Sequence, residues 1–348
     1  MNKKTRVTLP VNTTYDELEL FKPYSSYKYL LPKVKYVKRA FITSTGLVCN
    51  SRGFIKESCH KDWKQQPEVC FAMACQFYYD AEEDTTKLLT FDDDETYLVI
   101  HQIWYHNYFH WLNESLYRLW LVKDKAHQMI LLLPAKSALP QFALDSLQLF
   151  NFKDIIHIPE DKSALVRTLC LPVQKPIMAR YNPDALLHLN KLYVDHVKKN
   201  KINVNNTFNE RIYISRKNAR RRKIVNEEEV IKALSNYDFT ILYSEDLTFF
   251  EQVALFSNVK YLVSSHGAGL TNMLFMSPGA TIFEFHKRKT NPTRHQNLLF
   301  WYMADAMGHK YYHQICEPIN EDEVFFTADV TVDIDLLNKN LELIFANS

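Results

Sequence analysis

Short apolar segments alternate with segments of helical periodicity in the C-terminal half of the chain, and this pattern restricts the fold more than any other feature. The predicted strands lie at 211–215, 239–243, 259–263 and 281–285, and the predicted helices at 227–236, 248–257, 268–276 and about 294–307. Strands separated by helices of this length form a parallel sheet with right-handed crossovers. The sequence therefore predicts an α/β domain in this half.

The N-terminal half begins irregularly and then adopts the same alternation. Predicted strands at 97–100, 129–133, 155–158 and 165–171 are accompanied by predicted helices at about 107–123, 139–150 and 182–199. Residues 1–95 indicate strands and loops, with an acidic turn at 92–95. The polar segment 198–207 has no periodicity and indicates a linker. We therefore expect two Rossmann-like domains facing a cleft, at 1–200 and 201–348.

Charge and composition exclude several classes of protein. Lys and Arg number 42 against 40 Asp and Glu, so no basic surface for nucleic acid is indicated. Neither a signal peptide nor a transmembrane segment is expected, because the longest apolar runs, such as Met129–Leu133, have the length of a strand. The six cysteines lack Cys-x-x-Cys pairs and zinc spacing. We expect free thiols and a cytoplasmic protein, or a protein of the secretory lumen if an anchor was removed.

The segment Val259–Leu270 carries the strongest local signal, because an apolar strand runs directly into a turn of small residues and then a helix. In parallel sheets ligands bind at the carboxyl ends of strands, and a helix N-terminus there attracts anions. Gly267 and Gly269, on either side of Ala268, leave room for a phosphate to approach the backbone, and His266 could donate to it. Alternatively, the glycines serve only the geometry of the turn, and His266 satisfies backbone groups.

Arginines follow the strand at 211–215. Arg216 stands at its carboxyl end, where a guanidinium can take a diphosphate through two hydrogen bonds, and Arg220–Arg222 follow in the loop. The alternative is a solvated basic loop. Asn226 and Glu229 have the spacing of a capping box, with Val225 and Val230 as a hydrophobic staple, so we expect Asn226 to start a helix.

Histidines and a carboxylate recur at spacings of four in the first half, at His106, His110 and Glu114. Residues at this spacing share one helical face, and such a pair can remove a proton from a hydroxyl group. Alternatively, these side chains only form hydrogen bonds on the surface of a helix. A metal site is not indicated, because no third ligand stands at a recognisable spacing. Glu284, near the end of a strand, could accept ribose hydroxyls or form a buried ion pair.

Together, the three segments resemble glycosyltransferase family 61. The resemblance rests on His106–Trp111 with Glu114, on Ser215–Arg216 through Arg222–Glu227, and on His266–Asn272 leading to Pro278–Gly279. It implies a GT-B fold, inverting transfer from a nucleotide sugar, usually a UDP-sugar, and no required metal ion or other cofactor. Residues 1–95 contain no matching segment. Several family members have Asp where this chain has Asn113, which leaves Glu114 as the carboxylate at that point.

The resemblance also implies roles for the candidate residues. The donor, a UDP-sugar of the xylose or N-acetylglucosamine type, would be held by Arg216, Arg222, residues 266–269 and Glu284. Glu114 or His110 would take the proton of an acceptor hydroxyl on a glycan or glycoconjugate, with His106 and Asn113 on the acceptor side. Two alternatives remain: a non-catalytic relative that binds nucleotide or sugar, and an oxidoreductase, for which the early Gly-x-Gly-x-x-Gly is missing.

Overall fold

The computed structural model describes residues 3–29, 32–59, 66–173, 180–204, 208–288, 297–320 and 327–346. The chain divides into a first unit, Met1–Lys3 with Tyr29–Met178, and a second unit, Lys4–Lys28 with Ala179–Ser348. Helices and several sheets occur together, which confirms the mixed α/β class. The predicted domain boundary at residue 200 stays a prediction, and residues 205–207 of the predicted linker lie outside the described residues.

Three short elements open the chain. They are β1 (Lys3–Arg6), α1 (Leu18–Phe21) and β2 (Ser26–Tyr29), and β1 pairs with β2. The segment Lys4–Lys28 belongs to the second unit, and its groups bond to residues about 300 positions later in the chain. The Trp301 indole donates to the carbonyl oxygen of Thr8 at 2.7 Å, and Asn12 donates to the carbonyl oxygen of His313 at 2.7 Å.

The first unit is built on a seven-stranded sheet. Its strands are β3 (Lys33–Thr43), β4 (Val48–Asn50), β5 (Gly53–Phe54), β6 (Leu88–Val99), β7 (Ile130–Pro134), β8 (Asp154–Ile158) and β9 (Ser163–Val173), in the order β5-β4-β3-β9-β6-β7-β8. Its helices are α2 (Gln66–Glu83), α3 (Tyr108–His110), α4 (Leu116–Trp120) and α5 (Gln141–Leu147). β9 runs parallel to β6 and antiparallel to β3, so it joins the parallel half of the sheet to the antiparallel half.

Three predictions for the first unit are wrong. α2 is an 18-residue helix where only strands and loops were expected. It exposes Val69, Phe71 and Tyr79 while it buries Cys70 and Ala74, so its apolar residues do not mark a single face. The predicted acidic turn at 92–95 lies within β6, where the pairing with β9 shifts register. The predicted helix over 107–123 is interrupted at Trp111–Ser115 by a turn of π-helix.

The second unit is built on a six-stranded sheet. Its strands are β10 (Arg211–Ile214), β11 (Thr240–Leu242), β12 (Tyr261–Ser265), β13 (Thr281–Lys287), β14 (Lys310–Pro318) and β15 (Val330–Thr331), in the order β11-β10-β12-β13-β14-β15. Its remaining helices are α6 (Pro183–Lys199), α7 (Glu227–Ser235), α8 (Phe249–Phe256), α9 (Leu299–Met307) and α10 (Ile334–Ala346). All pairs are parallel except that between β14 and β15, as the alternation of the sequence predicted.

Residues Ala268–Phe275 form the predicted helix, with 3-10 geometry. The capping box predicted for the second unit is wrong. Asn226 stands at the start of α7, but its side chain makes no capping bond there. It accepts from the amide of Val332 at 3.0 Å and donates to the carbonyl oxygen of the same residue at 2.8 Å. Val225 is 59% exposed and forms no staple. No described helix is long and apolar enough to cross a membrane.

Candidate functional site

Arg216 lies directly beyond the carboxyl end of β10, beside the loop that follows β12. Because β10 and β12 are neighbours in register, with Ile214 opposite Ser264, the residues that leave the two strands lie close together. The Arg216 guanidinium fills the space that a side chain on Gly267 would need, since a Cβ placed there would lie 2.2 Å from Nη1. Its Nη2 donates to the carbonyl oxygen of Arg221 at 3.1 Å. Gly267 is therefore required for close approach of the arginine.

Arg222 completes a pair of half-buried cations. Its backbone has a φ of 61°, a left-handed conformation that is uncommon for residues other than glycine. The conformation is held from both sides, because its amide donates to the carbonyl oxygen of Thr327 at 3.3 Å and its carbonyl accepts from the Ser265 hydroxyl at 3.3 Å. Such strain persists where the surroundings enforce it, often at functional sites. Arg220 and Arg221 are exposed.

Both arginines carry positive charge and unused hydrogen-bond donors that can bind an anion. Burial lowers the pKa of Arg216, and burial together with the charge of Arg216 lowers the pKa of Arg222 to about 10. The Nε atoms of both side chains are buried and have no hydrogen-bond partner among the described residues. A multivalent anion would relieve the repulsion between them and supply acceptors.

His266 follows β12 and bonds to the buried carboxylate of Glu284 on the neighbouring strand. Its Nδ1 contacts Glu284 Oε1 in a short hydrogen bond, and Asn297 Nδ2 lies 2.9 Å from its Nε2. Because a carboxylate only accepts, the proton lies on Nδ1 and Nε2 accepts from Asn297. Burial, and then the charges of Arg222 and Arg216, lower the pKa of His266 well below its usual value, so the ring is neutral.

Glu284 is completely buried, and both of its oxygens have side-chain partners. Tyr311 donates to Oε2 at 2.6 Å and lies 2.6 Å from Nε2 of His286. Burial raises the pKa of Glu284, whereas His286 and the Tyr311 hydrogen bond oppose that change. The partners are thus two histidines and a tyrosine, and the ribose contact expected for Glu284 is not supported by this geometry.

His266, Glu284 and His286 could together hold a metal ion, since their ligand atoms lie within 4.8 Å of one another. Two observations favour a hydrogen-bond network instead. The Tyr311 hydroxyl already bridges Glu284 and His286, and the nearby charges of Arg216 and Arg222 disfavour a further cation.

The rest of the predicted loop has a packing role. A Cβ on Gly269 would lie 3.1 Å from the Ile214 side chain, so this glycine allows close packing against β10. Ala268 begins the 3-10 helix. The second unit therefore brings together Arg216, Arg222, His266 and Gly267, with Glu284 behind His266.

The first unit holds the other candidates in the helical segment after β6. Asn107 caps α3 by accepting from the amide of Phe109 at 3.0 Å, and the Trp111 indole donates to the Ser146 hydroxyl at 2.8 Å, which ties the segment to α5. All five residues of the π-turn Trp111–Ser115 are buried. Such turns occur frequently at functional sites.

Glu114 lies in this π-turn and is 1% exposed. Nδ1 of His110 lies 3.1 Å from its Oε2, and the Gln102 amide donates to the same oxygen in a short hydrogen bond. Arg118, one turn later, is also buried. Sequence reasoning missed Gln102 and Arg118, although both lie within the segment that contains the histidines.

His106 and Asn113 do not share the setting of Glu114. His106 is exposed and precedes the helix, so the predicted stripe of three on one helical face is wrong for this residue. Its ring lies 5.9 Å from that of Trp104. Asn113 is buried, and its amide donates to the carbonyl oxygen of Phe109 at 3.3 Å within the helical segment.

Sequence reasoning also missed Tyr311, His286 and Asn297 in the second unit. Tyr311 lies on β14, which follows the last predicted element, so no pattern pointed to it. His286 and Asn297 are single residues whose importance depends on the pairing of β13 with its neighbours. The only sequence signal that could have pointed to these residues is a polar residue at the end of an apolar strand.

The family profile described as Glycosyltransferase 61 matches residues 108–283, slightly more than half of the chain. This range contains Glu114, Arg216, Arg222 and His266, and it ends one residue before Glu284.

Curated relatives match over shorter segments. An EGF domain-specific O-linked N-acetylglucosamine transferase of Drosophila melanogaster is 38% identical over 77 residues, which cover 21% of this chain and 15% of the relative. A protein O-linked-mannose β-1,4-N-acetylglucosaminyltransferase 2 of Homo sapiens is 38% identical over 94 residues, which cover 26% of this chain and 16% of the relative. The chain thus matches less than a fifth of the length of these relatives.

Proposed function

Because the chain belongs to the glycosyltransferase 61 family, we propose that it transfers a sugar from a UDP-sugar to a hydroxyl group of a glycan or glycoconjugate, with inversion and without a metal ion. The observation that carries the proposal is the contact of Arg216 with Gly267 beside Arg222, at the carboxyl ends of β10 and β12. Two half-buried guanidinium groups with unsatisfied donors match the charge and the acceptors of a diphosphate.

The leaving group defines what the second unit must do. As the bond between the anomeric carbon and the phosphate oxygen breaks, negative charge grows on the diphosphate. Arg216 and Arg222 are fixed cations that stabilise this charge in the transition state, in the place of a metal ion. His266 is held by Glu284 with Nε2 directed away from the carboxylate, so it orients the loop instead of delivering a proton.

The acceptor requires a base, and Glu114 is the residue we propose. The acceptor oxygen attacks the anomeric carbon, its proton passes to the Glu114 carboxylate, and UDP leaves from the opposite face. Nδ1 of His110 lies 3.1 Å from Oε2 of this carboxylate, so His110 helps to orient it. Xylose and N-acetylglucosamine are the sugar types we propose for the donor. The GT-B arrangement and a cytoplasmic location, in keeping with six free cysteines, also remain proposals.

Calorimetry and activity measurements on two variants test this function. In a buffer with EDTA, the wild type should bind UDP and release it from UDP-N-acetylglucosamine or UDP-xylose, but not bind GDP or CMP. Arg216→Ala should weaken UDP binding by at least tenfold, because an arginine bonded to a phosphate is worth about 1.5–3 kcal/mol. Glu114→Gln should abolish turnover and leave UDP affinity unchanged, since the two residues lie in different units. Unchanged UDP affinity in Arg216→Ala would refute the donor site.

A further inference from the structure

Arg118 is a charged residue that the proposed function does not yet use. It lies in α4 and is 4% exposed, on a helical segment whose Trp111, Leu112, Leu116 and Leu119 are buried. A guanidinium in such surroundings is stable only if it is hydrogen-bonded and paired with a negative charge. The partners of Arg118 therefore indicate its purpose.

The hydrogen bonds of Arg118 go to the backbone that follows β6. Nη1 donates to the carbonyl oxygen of His101 at 3.3 Å and reaches that of Ile100 at 3.5 Å. The His101 carbonyl is also packed from another side, because a Cβ on Gly46 would lie 2.6 Å from its oxygen. The next residue in the chain is Gln102, whose amide donates to Glu114. Arg118 thus fixes the backbone that presents a hydrogen-bond donor to the carboxylate.

The carboxylate of Glu114, one turn earlier in the helical segment, acts electrostatically on Arg118. Burial lowers the pKa of Arg118, and the negative charge of Glu114 opposes this change. The interaction is mutual: a cation that is stabilised by a carboxylate also favours the ionised form of that carboxylate. A buried carboxylate needs such a partner if it is to accept a proton near neutral pH.

We propose that Arg118 is a positioning residue that keeps Glu114 ionised and, through the 100–102 backbone and Gln102, fixes the direction of its carboxylate. This inference rests on the proposed role of Glu114 as the base. Among the described residues, those that act on Glu114 include Gln102 after β6, His110 on the preceding turn and Arg118 on the following turn. Arg118 is the permanently charged member of this set, so its removal should change the protonation of the base most.

The pH dependence of turnover distinguishes this role from a purely structural one. We would compare Arg118→Met, which removes the charge, with Arg118→Lys, which keeps it, by following UDP release from UDP-N-acetylglucosamine or UDP-xylose, with water as the acceptor. Without the cation the carboxylate is protonated at higher pH, so the acidic limb of the kcat profile should move up by about one pH unit or more in Arg118→Met. Arg118→Lys should return the limb towards the wild-type position even if its kcat remains low.

Controls separate this proposal from the proposed function and from misfolding. UDP affinity should stay at the wild-type value in every Arg118 variant. If Arg118→Met does not fold, Gln102→Leu tests the positioning role in its place. The loss of the amide donor to Glu114 should move the acidic limb of the kcat profile in the same direction by a smaller amount. Folded Arg118→Met or Gln102→Leu protein with reduced kcat and an unmoved limb would overturn the positioning role. Full activity of Glu114→Gln would instead show that the base assignment is wrong.

Discussion

At the scale of single residues, the candidate site of the second unit depends on one missing side chain. The Arg216 guanidinium lies against the backbone of Gly267, whose φ of −179° any residue could adopt. The glycine is therefore required for space and not for backbone conformation. The nearest atoms belong to the end of a flexible side chain, so a methyl group would displace the arginine at little cost to folding.

Gly267→Ala should bind UDP at least tenfold more weakly than the wild type while unfolding at nearly the same temperature. The matched control is Gly269→Ala, where a Cβ would press on Ile214 beneath the loop at 3.1 Å. That variant should lose stability, by about 1–3 kcal/mol as for other overpacked sites, with Arg216 left in place. Calorimetric UDP titration and thermal unfolding of both variants measure the difference. Equal UDP affinity in Gly267→Ala and the wild type would contradict the assigned contact.

At the scale of elements, the sequence predicted the strand ends well and the connections poorly. The parallel strands β10, β12 and β13 follow from continuous apolar runs, and their register alone brings Arg216 beside His266. The tie between Asn226 and Val332 could not be predicted in this way. Asn226 at the start of a helix with Glu229 three residues later is a sound local pattern, but its amide pairs with a strand end more than 100 residues away. Tertiary bonding overrode the local preference.

Asn226→Ala tests whether Asn226 bonds to the Val332 backbone or caps α7. It removes two hydrogen bonds to the Val332 backbone and should lower the free energy of unfolding by about 1–3 kcal/mol, because buried backbone groups lose their partners. UDP binding should weaken as well, since the neighbouring segment carries Arg222. A capping box would require the Glu229 carboxylate equally, so Glu229→Ala, which removes that acceptor, serves as the control and should stay close to the wild type in urea unfolding. Equal destabilisation by both substitutions would show that Asn226 and Glu229 do form a capping box.

At the scale of the whole molecule, buried neutral histidines make both units sensitive to acid. Burial lowers the pKa of His101 in the first unit to about 3, and of His286 and His309 in the second unit to about 4. In the unfolded chain these rings titrate near 6.5. Between these pH values the unfolded state binds more protons than the folded state. The contribution of the histidines to stability is therefore fully present above pH 6.5 and declines as the pH falls below it.

Urea unfolding followed from pH 7 to pH 4.5 should show this decline. Each histidine should contribute up to about 1.4 kcal/mol of lost stability per pH unit. His309→Gln keeps a donor for the Met273 carbonyl, which His309 contacts through Nε2 at 3.0 Å, but cannot be protonated. The variant should have a shallower slope below pH 6.5 than the wild type. Identical slopes would show that His309 already titrates normally in the folded protein.

The segment Lys4–Lys28 has a consequence for biosynthesis. Asn12 donates to Asn340 at 2.8 Å across a separation of 328 residues, and Phe21 packs edge-on against Trp301 at 5.2 Å. This part of the chain is made well before its partners in α9 and α10. The segment must therefore remain undocked, with Phe21 uncovered, until those two helices have been made. Contacts so distant in sequence close slowly, so docking of Lys4–Lys28 is a late step in the folding of the second unit.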